Sequence, residues 1–217
     1  MPEIIPTILA NAKKEFEEKL RIEEKLAPTI QIDILDGTLF STTNWHDAEA
    51  IGQMVTPAAF ELHLMVTNPL PIIAGWMSKV LNVKRAIVHA EIERPVGKII
   101  EEIHENFLIE AGVAINPETP IEEIHDILPI LDVLMIMGVH PGKTGQSFDG
   151  EYLLEKIREA KRRAPGLTIE IDGGVTPELI PNFMKLGVTR FAVNSALFKD
   201  NQPEIAWQTL QKALQNK

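Results

Sequence analysis

Short apolar, β-branched runs alternate with longer amphipathic stretches from one end of the chain to the other. The runs predict strands near residues 3–9, 30–35, 60–66, 85–90, 109–115, 132–138, 167–172 and 188–193, eight in all. The stretches between them carry helical spacing. Phe16 and Leu20 stand four apart within 12–26, and Leu153, Ile157 and Ala160 align within 150–163. The last stretch opens at Pro203, a favourable first helical residue, and sets Trp207, Leu210 and Leu214 on one face. No low-complexity linker interrupts the series, so residues 1–217 are expected to form one domain. Eight strand–helix units in this length fit the α/β class and a closed parallel (β/α)8 barrel with outer helices. An open doubly wound sheet is the alternative. It would place a Gly-x-Gly-x-x-Gly turn after the first strand, where this chain has Ala10-Asn11-Ala12.

Composition narrows the chemistry. There is no cysteine, which excludes disulfides, thiolate nucleophiles and Cys-ligated metals. The formal net charge of −10 and the lack of a basic stripe argue against nucleic acid as a partner. Lys161, Arg162 and Arg163 close a predicted helix, where cations complement the dipole. The apolar runs are too short to cross a bilayer, so no membrane partner is expected. The start, Met-Pro-Glu-Ile-Ile, does not resemble a secretory signal, and the expected location is cytoplasmic.

Alternate side chains of a strand share a face. Gln31, Asp33 and Leu35 form one such set, Glu61, His63 and Met65 a second, and Glu170 and Asp172 a third. In a barrel, the C-terminal members of inward sets reach the mouth, where sites of this fold are built. Asp33, His63 and Asp172 are therefore expected to converge from strands two, three and seven. Asp36-Gly37 reads as a plain turn, and His104 and His125 as surface residues. Trp45 and His46 fit either a loop over the mouth or ordinary packing. Gly138 to Thr144 lacks the four-residue spacing of a nucleotide-binding P-loop. Glycines gather late in the chain: Gly142 and Gly145 after strand six, Gly173 and Gly174 after strand seven. Asn194-Ser195 follows strand eight. Loops at these places commonly hold phosphate in barrels.

Seven segments in order resemble the ribulose-phosphate 3-epimerase family. They are Pro6-Thr7-Ile8-Leu9, Asp33-Ile34-Leu35-Asp36-Gly37, His63-Leu64-Met65-Val66, Val88-His89-Ala90-Glu91, the stretch Ala114 to Pro120, the stretch Val139 to Phe148, and Glu170 to Val175. The resemblance implies a (β/α)8 barrel that interconverts D-ribulose 5-phosphate and D-xylulose 5-phosphate through an enediolate. Asp33 and Asp172 would be its acid/base pair, on opposite faces of the sugar. It also implies a divalent metal ion (Zn, Mn, Fe or Mg), a phosphorylated sugar substrate and a homo-oligomer. Substrate-binding positions carried over are Thr7, His63, Met65, Met137, Gly142, Gly145, Gly173, Gly174, Asn194 and Ser195.

The family's metal ligands are two histidines and two aspartates. Here Asp33, His63 and Asp172 match, and Gln31 stands in place of the second histidine. An amide oxygen favours Mn²⁺- or Mg²⁺-like ions over Zn²⁺. Other departures are Thr7 for serine, Leu35 for methionine, Lys143-Thr144 within a glycine run, and Asn194 where the family has glycine. They leave a second reading open: a non-catalytic or altered-specificity sugar-phosphate-binding barrel that has lost the full metal site.

Overall fold

The computed structural model describes residues 1–141 and 150–215. Eight parallel strands close in sequence order, each paired to the next and β8 to β1. They are β1 Glu3–Ile8, β2 Thr29–Leu35, β3 Ala59–Met65, β4 Val83–His89, β5 Glu110–Ile115, β6 Val133–Met137, β7 Thr168–Asp172 and β8 Arg190–Val193. Each falls on an expected run, and the closed order excludes the open sheet. Between and after them lie α1 Lys13–Glu23, α2 Ala48–Gly52, α3 Pro69–Met77, α4 Val96–Phe107, α5 Gly150–Arg163, α6 Ile180–Lys185, α7 Ser195–Phe198 and α8 Pro203–Ala213.

The β5–β6 connection departs from the regular strand–helix alternation. It holds two 3₁₀ segments, Ile121–Ile124 and Leu128–Ile130. Pro129 has no N–H for an interior helical bond, so the segment cannot propagate as one α-helix.

The strands are buried on both faces. Their outward residues, such as Ile32, Leu64, Val88 and Ile171, join Phe16, Ile157, Ala160 and Leu210 of the helices in the main core. This is why the helical stripes read so clearly. The barrel interior is divided. Ile87, Ala114, Val133, Met135 and Met137 fill one side with apolar volume. Gly112 belongs to the same packing, for a Cβ there would stand 2.3 Å from Val133 Cγ1.

The opposite side is polar and stacked in two tiers. In the lower tier Arg85 bonds Glu61 through Nη1 and Glu110 through Nε, the latter at 2.7 Å. Glu61 and Glu170 are wholly buried. Burial first, then the Glu61 carboxylate beside it, pushes Glu170 well above the usual carboxylate range. The Glu170 oxygens and Glu61 Oε1 have no hydrogen-bond partner among the described residues. The upper tier contains Asp33, His63 and Asp172.

Candidate active site

The upper tier lies at the C-terminal ends of β2, β3 and β7, the catalytic face of this architecture. Register sets it there: Asp33 pairs with His63 across β2 and β3, and Asp172 pairs with Met137 across β6 and β7. His63 Nδ1 is 3.2 Å from both Asp33 Oδ1 and Asp172 Oδ2. The three sequence candidates therefore meet at one point, although 139 positions separate the two carboxylates in sequence (172 − 33).

Gln31 completes the group. Its Nε2 donates to Asp33 Oδ1 at 2.9 Å and to Asp172 Oδ2 at 2.7 Å, so one amide ties the two acids together. Asn44 braces the end of β2 from outside, donating to the Asp33 carbonyl at 2.7 Å and accepting from the Leu35 amide at 2.9 Å.

Burial favours the neutral form of both acids, but the neighbours divide them. For Asp172, the hydrogen bond and charge of His63 and the bond from Gln31 overcome burial and hold the carboxyl below its ordinary range. For Asp33, burial together with the Asp172 charge outweighs His63 and Gln31, and the group is raised. Burial would lower His63, yet its bonds to Asp172 and Asp33 push it up to about 10. Two like acids are thus shifted in opposite directions by their surroundings, the arrangement that separates an acid from a base.

Asp33, His63 and Asp172 each offer a ligand atom, and these atoms lie within 4.8 Å of one another. That is donor spacing around a single cation. Gln31 Oε1 is buried without a donor, and a half-turn of the amide would bring it to the position Nε2 now holds. Two carboxylates, an imidazole and an amide oxygen suit a divalent ion of borderline to hard character. The donor set fits a divalent cation.

One cavity opens onto this group. Thr7, Met65, Met137, Gly173, Gly174, Asn194 and Ser195 line it together with Asp33, His63 and Asp172. The Thr7 hydroxyl and the Asn194 side-chain amide nitrogen are buried there with no protein partner. Gly173 has φ +94°, and a Cβ on it would lie 2.4 Å from Val139 Cγ2, so the chain leaves Asp172 by a turn that only glycine makes without strain. Gly142, Gly145 and Lys143 lie outside the described residues. Trp45 packs edge-on against Phe16 with ring centroids 5.3 Å apart, which is packing and not a lid. Asp36 is the expected turn, accepting from the Thr38 amide at 2.9 Å.

Two polar residues at the site were not singled out for chemistry in the sequence. His89 Nε2 is 3.0 Å from His63 Nε2, and Glu91 Oε2 is 2.9 Å from His89 Nδ1. The two-residue spacing of His89 and Glu91, with the parity of His63 one strand earlier, was the available signal. Phe40, from the loop after β2, sets its ring edge-on to His89 with centroids 5.1 Å apart.

Residues 3–198 match the sequence profile of the Ribulose-phosphate 3 epimerase family. Among curated relatives, a ribulose-phosphate 3-epimerase of Bacillus subtilis is 32% identical over 91% of this chain and 93% of its own length. One of Synechocystis is 29% identical over 94% of this chain and 89% of its own. Among solved structures, a tryptophan synthase α-subunit from Pyrococcus furiosus superposes with a TM-score of 0.69 at 18% identity, covering 99% of this chain and all of its own. Phosphoribosyl anthranilate isomerase from Thermococcus kodakaraensis gives 0.67 at 13% identity over the whole of both chains. At such identities these two likenesses concern the fold alone.

Proposed function

Since the chain belongs to the ribulose-phosphate 3-epimerase family, a family of carbohydrate isomerases, we propose that it interconverts D-ribulose 5-phosphate and D-xylulose 5-phosphate by proton transfer at C3 between Asp33 and Asp172. The observation that carries this reading is the convergence of two acids, shifted in opposite directions, on one imidazole. Asp172, held low by His63 and Gln31, accepts the C3 proton from one face of the sugar. Asp33, the acid raised by burial, donates from the other, and the roles reverse for the second epimer. Loss of the C3 proton places negative charge on the C2 oxygen as the enediolate forms. Asp33, His63, Asp172 and, with its amide turned, Gln31 Oε1 would hold a divalent cation, which supplies electrostatic stabilisation of that charge when bound.

Met65 and Met137 supply apolar walls that exclude water from the reacting carbon. The unpartnered Thr7 hydroxyl and Asn194 amide face the same cavity and suit sugar hydroxyl or phosphate oxygens. Gly173, Gly174 and Ser195 suit the phosphate end, together with Gly142 and Gly145 of the preceding loop. The reading brings with it a cytoplasmic homo-oligomer acting on a phosphorylated sugar. Among the described residues, no helix is long and apolar enough to cross a membrane.

The test is a coupled assay between the two pentulose phosphates with added Mn²⁺ or Zn²⁺. Turnover is expected, and either Asp33→Asn or Asp172→Asn should abolish it. Saturable binding of a pentulose phosphate with no turnover under any metal would favour the non-catalytic binder that Gln31 and Asn194 left open.

A further inference from the structure

A file of buried polar groups runs from the site into the wall of the barrel. His63 Nε2 meets His89 Nε2 at 3.0 Å, and His89 Nδ1 meets Glu91 Oε2 at 2.9 Å. Glu91 Oε1 takes the Asn116 amide at 2.8 Å and also the Thr119 hydroxyl. Both imidazoles are wholly buried, so water cannot substitute for a missing partner. The loop that holds Glu91 is itself fixed, because Lys156 Nζ donates to the Asn116 and Pro117 carbonyls at 2.8 and 2.7 Å.

Such a file has only one sense. Glu91 Oε1 already receives two donors, and against burial the bond and charge of His89 hold the carboxyl below its ordinary range, so Oε2 acts as an acceptor toward His89. His89 Nδ1 must then carry its hydrogen, which leaves His89 Nε2 bare. A contact of 3.0 Å between two ring nitrogens holds one hydrogen, so His63 Nε2 must supply it. In neutral His63 the bare atom is therefore Nδ1, the nitrogen that faces Asp33 and Asp172 at 3.2 Å. That is the tautomer that offers a lone pair to a cation between the two carboxylates.

We propose that Glu91, acting through His89, is a positioning residue that fixes His63 with its hydrogen on Nε2 and so makes His63 Nδ1 a ligand for a divalent cation. The inference rests on the cation of the proposed function, but it concerns this chain's own hydrogen-bond sense and can be read without turnover.

Glu91→Gln provides an informative variant. The Asn116 amide still needs an acceptor, so the new side-chain oxygen stays there and the new NH₂ turns to His89 Nδ1. The sense of the file then reverses. His89 carries its hydrogen on Nε2, donates to His63 Nε2, and leaves neutral His63 with its hydrogen on Nδ1, where it blocks the cation. Two measurements on the full chain read this out. Nitrogen-15 NMR of the His89 ring in the metal-free wild type should show its hydrogen on Nδ1. Zinc affinity, measured by competition with a chromophoric chelator, should fall about 10- to 100-fold in the variant, the usual effect of losing a partner behind a metal-bound histidine.

The wild-type spectrum alone decides the sense of the file even if the variant does not fold: a hydrogen on His89 Nε2 overturns the proposal. Unchanged zinc affinity in folded Glu91→Gln, or no zinc binding by the wild type, overturns it as well. Loss of zinc affinity in a protein that turns over no pentulose phosphate would sink the epimerase reading and leave this inference standing. Full epimerase activity with unchanged zinc affinity in the variant would do the reverse.

Discussion

Arg85→Met tests whether the lower charged tier supports the barrel without taking part at the site. Arg85 is 6% exposed, and its guanidinium bonds Glu61 and Glu110. The Glu110 side chain is 48% exposed, so losing that pair costs little. Glu61 is wholly buried; its Oε2 loses its cation, and its Oε1 has no hydrogen-bond partner to compensate. Removing one partner of a buried ion pair costs about 3–5 kcal/mol because the other charge is stranded. For a chain of this size each kcal/mol moves the melting temperature by about 2–4 °C, so a fall of about 6–20 °C is expected.

Urea titration followed by the fluorescence of buried Trp76 gives the free energy directly. Adding Glu61→Gln to Arg85→Met should recover most of the loss, since the stranded charge goes with it. Turnover per folded molecule should be unchanged, because the acid/base pair belongs to the tier above. A loss below about 1 kcal/mol, or a double variant as unstable as the single one, would refute the reasoning about stranded charge.

Glu170→Gln addresses pH. The folded-state pKa of Glu170 is raised by burial, so its contribution is fully present below the unfolded value of about 4.3 and is lost as pH rises through the folded value. Wild type should therefore lose more stability than Glu170→Gln between pH 5 and pH 8, and equal losses by thermal melting would contradict the shift. Gly173→Ala forces a side chain into a left-handed turn and against Val139, which should move Asp172 and lower kcat/KM about 100-fold, the scale of an ångström of misplacement. Gln31→His should tighten zinc binding, read by the same chelator competition. No gain would mean that the other three ligands are not arranged around one ion.

Much of the architecture was legible because it depends on local period. β-branched runs marked every strand, and the stripe of Leu153, Ile157 and Ala160 marked α5. The β5–β6 connection was less legible: its spacing suits a helix, and the placing of Pro129 decides against one. At the site, strand parity was enough to bring Asp33, His63 and Asp172 together.

Parity could not reveal what each side chain does sideways. Gln31 read as a weakened metal ligand, yet its amide bridges two carboxylates, one of them 141 residues away. His89 and Glu91 gain meaning only from the lateral approach of His63. The Glu61, Arg85 and Glu170 tier likewise exists only across strands. The metal reading and the amide bridge are compatible, since the amide can turn, but no sequence pattern encodes which atom faces inward.

The central claim is that two acids stand on opposite faces of one carbon. Turnover of each pure pentulose phosphate in D₂O, followed by proton NMR at C3, tests it most directly. Wild type should interconvert the two with one deuterium entering at C3. Asp33→Asn and Asp172→Asn should each stop interconversion yet still exchange the C3 hydrogen of one epimer, a different epimer for each variant. Interconversion by either variant, or exchange from the same epimer by both, would contradict the account.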